Sequence, residues 1–172
     1  MIRAMGNINF VLFVLRVGLG VTMALHGWNK LRNGIGGTAG WFQSIGMRPG
    51  RLNAYMAAYT EIGSGALLAI GLFTPFAAAA MIGLMLVAYW VAHRANGFFI
   101  FNKDQGWEYV LIIGLAVLVV GGIGPGEWSA DNILGLSNPY YNGWWGVAIS
   151  LVGGIGGGFT QLGVCYRPPK KG

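Results

Sequence analysis

Runs of roughly twenty apolar residues recur along this chain, and that repetition limits the fold more than any other feature. An apolar run of that length crosses a bilayer as a helix, because a helix satisfies its own backbone hydrogen bonds in lipid. Composition agrees: 55% of the residues are hydrophobic and only 9% are charged, against about a quarter charged in soluble domains. The expected class is an all-α membrane protein. The first run is longer than a signal-peptide core, is interrupted by Arg16, and is followed by no small-x-small cleavage site, so it is expected to remain as a span. The single cysteine, Cys165, leaves no partner for an internal disulfide or a CxxC redox pair.

The apolar pattern places spans at about 8–31, 53–73, 75–93 and 107–123. Thr74 and Pro75 read as an N-cap followed by a first-turn proline, leaving a two-residue break between spans 2 and 3. A fifth stretch, 143–163, is long enough to cross but rich in glycine. Charge decides for it. With five spans, Lys30, Arg32, Arg48, Arg51, Arg94, Lys103, Arg167, Lys170 and Lys171 fall on one side and Arg3 alone on the other. The positive-inside rule then puts the N-terminus outside and the C-terminus in the cytoplasm. The net charge of +6 is accounted for by this orientation, and nothing points to nucleic acid. The fold expected is a four-helix transmembrane bundle plus a glycine-rich fifth transmembrane helix. Trp41, Phe42 and Ile45 share one face of a short interfacial helix in the first cytoplasmic loop. The remaining tryptophans flank span ends, where interfacial aromatics belong.

Arg16 lies within the first span, where an arginine costs roughly 2.5–3.5 kcal/mol even on lenient insertion scales. A partner is therefore expected. The only acid well inside a span is Glu61, whose helical neighbours Ala57, Ala58, Ser64 and Gly65 are small enough to admit a second helix. At about 1.5 Å per residue, Arg16 and Glu61 differ by roughly 10 Å in depth, and His26 is nearer to Glu61. A network of Arg16, Glu61 and His26 is expected, with Arg16, Gly20, Met23, Gly27 and Lys30 forming one stripe on the first helix. His26, His93, Lys30 and Glu108 gather on the cytoplasmic side below Glu61, which describes a polar cavity open to that side. The plainer alternatives are a register-setting Arg16–Glu61 pair, an interfacial His93, and a Glu108 that merely favours a helix N-terminus. No metal-ligand spacing, no Ser-His-Asp set and no phosphate loop is present; GGIGPG and GGIGGG lack the flanking strand and the Lys-Ser/Thr.

The segments RVGLGVTMALHGWNKL, GTAGWFQSIGM, AYTEIGSGALLAIGLFTPFAA and GWEYVLIIGLAVLVVGGIGPGEWSAD together resemble the DoxX family of small bacterial membrane proteins, over about residues 10–132. The Arg…HGxxK element, the glutamate of span 2, the GxEY before span 4 and the GPGxxSxD after it select Arg16, His26, Lys30, Glu61, Glu108 and Asp131. The resemblance implies a four-helix membrane domain, here 8–132. Residues 133–172 add an extracytoplasmic loop, the fifth helix and a basic cytoplasmic tail. Related proteins form the membrane subunit of thiosulfate–quinone oxidoreductases. The resemblance therefore implies a subunit of a quinone-linked redox system in the bacterial plasma membrane. Glu61 and His26 would be the proton-handling pair, with Arg16, His26, Lys30, Glu61 and Glu108 around a quinone. The alternatives are a non-catalytic scaffold subunit of a larger complex and a carrier for a small polar solute. In either subunit reading the fifth helix is the expected docking element, through Gly153/Gly157 or Gly154/Gly158, for a partner, a second copy or its own bundle.

Overall fold

The computed structural model describes residues 2–137 and 141–168, with side chains from residue 7 onward; Lys170 and Lys171 of the basic tail lie outside the described residues. Helix α1 spans Ile2–Arg32, α2 Ile35–Ser44, α3 Gly50–Ile70 and α4 Thr74–Ala88, the last running on into a π-helical turn, Tyr89–His93. Then come α5 at Glu108–Ile123, a four-residue α6 at Ala130–Ile133, and α7 at Gly143–Cys165. Three of these are long and apolar enough to cross a membrane: Asn7–Arg32, Thr74–His93 and Gly143–Cys165. Helix α5 is apolar but has only 16 residues, about 24 Å of helix. Helix α3 has 21 residues but carries Arg51, Asn53, Thr60, Glu61 and Ser64.

Helix α3 returns antiparallel along α1 because small residues on both sides let the backbones meet. A Cβ on Gly20 would collide with the Gly65 carbonyl, and one on Gly65 with the Gly20 carbonyl. Gly27 stands equally close to Ala58. Helix α7 runs parallel to α4 by the same device: Gly154 and Gly158 sit against Ile82, Gly83 and Leu86. Ser150 adds a hydroxyl hydrogen bond to the Pro75 carbonyl (3.3 Å). Of the two glycine pairs expected to pack, Gly154/Gly158 is the one enclosed by the chain's own bundle, while a Cβ on Gly157 would meet nothing within 4 Å. The outward faces are largely apolar: Phe10, Val14, Leu25, Ile112, Val119 and Val152 are exposed. Such a surface suits lipid and not water.

Two boundaries differ from expectation, for one reason. Gly71 adopts the left-handed conformation (φ 69°) that ends α3, with the Leu72 amide donating back to Leu67 O (2.9 Å). The break then runs from Gly71 to Phe73, and Phe73, not Thr74, is the N-cap of α4. Thr74 is already helical, and its hydroxyl donates to Asp131 (2.8 Å) instead of accepting from the helix. The cap comes from elsewhere in the chain, which local sequence cannot show.

A short helix, α2, forms in the first loop, but it ends at Ser44 with Ile45 as its C-cap, and Trp41 is about half exposed while Phe42 is buried, so the three residues do not form one helical face. Helix α2 packs on α3, and the turn after it is tied to the end of α7 by hydrogen bonds from Arg48 N to Cys165 O (2.8 Å) and from Arg167 N to Gly46 O (2.7 Å). The ends of α1, α4 and α7 and the start of α5 therefore lie at one end of the bundle, called here the Arg32 end. Asn9, the α3–α4 turn and the 124–137 loop lie at the other, the Asn9 end.

Candidate functional site

The charged residues divide into two groups. At the Asn9 end Arg16 is completely buried and bonds to main-chain carbonyls, not to a carboxylate. Its Nη1 donates to Leu68 O (3.2 Å) and Ala69 O (3.0 Å), and its Nη2 to Trp128 O (2.6 Å). The first two are carbonyls of the last turn of α3, at the negative end of the helix dipole, and Leu68 O also accepts from the Gly71 amide (3.1 Å). The expected Arg16–Glu61–His26 network is therefore corrected. The gap in depth is real, and nearer carbonyls meet the guanidinium first.

Asp131, also fully buried, completes this knot. Its Oδ1 accepts from the Phe73 amide (2.8 Å), and its Oδ2 from the Thr74 amide (3.0 Å) and hydroxyl (2.8 Å). Its own amide donates to Gly71 O (2.8 Å). One carboxylate thus caps α4 while its negative charge acts on Arg16. Gly71 has to be glycine on two counts, its positive φ and the Arg16 guanidinium lying where a Cβ would stand. Asn9 of α1 holds the same loop by accepting from the Glu127 amide (3.0 Å).

Towards the Arg32 end Glu61 pairs with Lys30, at 2.5 Å. Glu61 is buried among the small residues expected around it, and the Lys30 side chain retains 24% of its exposure. The pair forms part of the wall of a cavity of about 230 Å³ between α1, α2, α3, α4 and α5, with Gln161 of α7 at its edge. Met23, Phe42, Met85 and Ile113 make most of the wall apolar. Besides the ion pair, His26, His93 and Tyr109 supply its polar points. His26 is exposed and sits at the rim. His93 bonds through Nδ1 to Gln105 O (3.0 Å), which only accepts, so Nδ1 carries the proton. Its Nε2 then accepts from the Tyr109 hydroxyl (2.7 Å).

Of the residues singled out from sequence, Glu61, Lys30 and His26 meet at this cavity. Arg16 lies in the other group. Glu108, at the start of α5, turns its carboxylate to the 97–107 loop and accepts from the Ile100 amide (3.1 Å). Sequence reasoning overlooked Tyr109, one residue past Glu108 and on the cavity side of α5. Gln161 also escaped notice because an isolated amide in a glycine-rich helix carries no motif. Among the described residues no group of three histidine, cysteine or acidic side chains is placed to hold a metal ion.

An all-helical bundle with apolar outer faces and two buried charge clusters defines a multi-pass membrane protein. Residues 11–94 match the DoxX family model, which identifies that part of the chain as a DoxX domain. The match covers α1 to α4 with the π-helical turn; α5, Asp131 and α7 lie beyond it. No curated protein and no solved structure gives a significant match.

Proposed function

We propose that this DoxX-domain protein is a five-span subunit of a quinone-linked redox system in the bacterial plasma membrane, N-terminus outside and C-terminus cytoplasmic. Its cavity beside Lys30 and Glu61 receives the quinone head group. One observation carries the reading: a largely apolar hollow holds the part-buried Lys30–Glu61 pair and a tyrosine–histidine pair on its wall. Apolar walls with a few converging polar groups are what a flat ring with two carbonyls requires. The Lys30 ammonium is a donor to one ring oxygen, and Glu61 and His26 are the groups that exchange protons there. Reduction of a quinone to a quinol takes two electrons and two protons; the electrons come from a partner protein. The outer face of α7, where Val152 and Phe159 are exposed beside Gly156, is the proposed contact for that partner.

A scaffold role is favoured by a different observation, the Arg16 knot, in which buried charge orders helices with no cavity attached. Binding separates the two. Purified protein in nanodiscs is titrated with a short-chain, water-soluble quinone. Saturable binding weakened about tenfold or more by Lys30→Met and by Glu61→Gln supports the quinone reading. Absence of saturable binding, or binding by both variants equal to that of wild type, overturns it in favour of the scaffold.

A further inference from the structure

The glycines of α7 leave one feature without an explanation in helix packing. Gly154 and Gly158 are needed where they stand, because a Cβ there would strike α4. Gly156, Gly157 and Gly163 are not, since nothing lies within 4 Å of where their Cβ atoms would be. Glycine within a helix costs about 1 kcal/mol relative to alanine, so an unobstructed glycine needs another reason. Of these three, Gly157 is the one that lines a groove, about 220 Å³ between α3 and α7 and floored by Ala79, Ala80 and Gly83 of α4.

That groove is not isolated. It shares Ala57, Leu84 and Gln161 with the Lys30–Glu61 cavity, so the small Ala57, the half-buried Leu84 and one amide stand between the two hollows. Gln161 donates through Nε2 to Asn53 Oδ1 (3.1 Å), and its carbonyl oxygen has no hydrogen-bond partner among the described residues. On its other side the groove is flanked by Met56, which is exposed on the apolar surface. A second and larger groove, about 330 Å³ between α4, α5 and α7, reaches the cavity only through buried Met85.

We infer that the α3–α7 groove is the lateral entry and tail site for the ligand whose head occupies the cavity, and that this ligand is a membrane-resident quinone bearing an isoprenoid chain. The inference rests on the quinone reading above and narrows it to a tailed, lipid-borne substrate. The head passes Leu84 to reach Lys30 and Glu61, and the chain stays in the groove, where the missing side chain of Gly157 leaves it room.

The test compares a tail-less quinone with one carrying several isoprene units, each titrated into the protein in nanodiscs. Wild type, Gly157→Leu and Gly114→Leu are used; the last narrows the larger groove at another glycine with nothing within 4 Å of its Cβ position. Wild type is expected to prefer the tailed quinone by about tenfold or more. Gly157→Leu should erase that preference while leaving tail-less binding unchanged, and Gly114→Leu should behave as wild type. Loss of the preference in Gly114→Leu alone, or no preference in wild type, overturns the groove assignment while the quinone reading stands. If neither quinone binds wild type, both fall. Thermal unfolding of each variant checks that the bundle is intact.

Discussion

Arg16 and Lys30 occupy one stripe of one helix, about 21 Å apart along its axis, and the bundle treats them oppositely. Arg16 is sealed at full burial and held by three carbonyls of two segments. Lys30 meets a single carboxylate and keeps part of its side chain accessible on the wall of a hollow. Holding a buried charge against main-chain acceptors makes a rigid joint closed to solvent, although the buried Arg16 Nε has no hydrogen-bond partner among the described residues. Leaving a charge pair beside a cavity gives groups that a ligand can reach. Stability is therefore expected to reside in the first region and ligand chemistry in the second.

The largest expected effect is at Arg16. Arg16→Leu leaves the Ala69 and Trp128 carbonyls without the guanidinium donor, Leu68 O with the Gly71 amide alone, and Asp131 without its counter-charge, a loss on the order of 3–5 kcal/mol. It should be read as lost recovery of folded protein and a lowered midpoint of thermal unfolding in detergent. Adding Glu61→Leu should not restore it, because the two residues share no partner and their effects should add. Rescue by the double variant would restore the Arg16–Glu61 pairing and dissolve the contrast between the two regions.

Asp131→Ala comes next. It removes the acceptor for two amides and a hydroxyl at the start of α4. A lost N-cap alone costs about 0.5–2 kcal/mol, and the uncompensated buried charge of Arg16 adds to that. Thr74→Val, which removes only the hydroxyl, should cost less than half as much by the same thermal measurement. Equal costs would show that the threonine and not the carboxylate caps the helix.

How far these regions are readable from sequence follows from the range of the interactions that build them. The stripe of Arg16, Gly20, Met23, Gly27 and Lys30 is a helical repeat, and the small neighbours of Glu61 are local to α3, so both are visible in the sequence and present in the fold. The pairing is not local. Charge counting matches Arg16 to the only intramembrane acid, but carbonyls at the end of α3 carry partial charges that no residue type announces. Asp131 caps a helix 57 residues earlier in the chain, a contact made only once the 124–137 loop folds back over the Asn9 end. Tyr109 and Gln161 enter the cavity because of how α5 and α7 are rotated, and the chain writes that rotation only in faint apolar periodicity.

Lys30→Met should have a smaller effect on folding than either change at the Asn9 end, about 1–3 kcal/mol. Water already reaches the lysine, and the cavity beside it gives Glu61 room to rehydrate. The larger consequence is functional, as loss of quinone binding with the bundle still folded. A Lys30→Met variant as poorly folded as Arg16→Leu would make the second pair structural too.

The smallest and sharpest comparison sets two half-buried tyrosines against each other, one in each region. Tyr109 donates to His93 Nε2, whereas the buried Tyr141 hydroxyl, near Asp131, has no hydrogen-bond partner among the described residues. Tyr109→Phe should cost about 0.5–1.5 kcal/mol at neutral pH, the net worth of one hydrogen bond. Tyr141→Phe should cost nothing there, since it removes a hydroxyl that burial has stripped of water without compensation. Alkaline pH adds a second, independent reading. Burial, and secondarily the negative charge of Asp131, push the ionisation of Tyr141 well above the usual tyrosine value. Below about pH 10, where an unfolded tyrosine ionises, folded and unfolded states both keep the proton and stability is unaffected. Above it the unfolded state releases the proton while the folded state holds it, so stability falls as pH rises. Tyr141→Phe should remove that part of the alkaline decline, seen as a smaller drop in unfolding midpoint between pH 8 and pH 11 than in wild type. A decline identical to wild type, or a neutral-pH loss equal to that of Tyr109→Phe, would mean that the Tyr141 hydroxyl is partnered after all, and that the Asn9 end holds a polar contact beyond the Arg16–Asp131 knot.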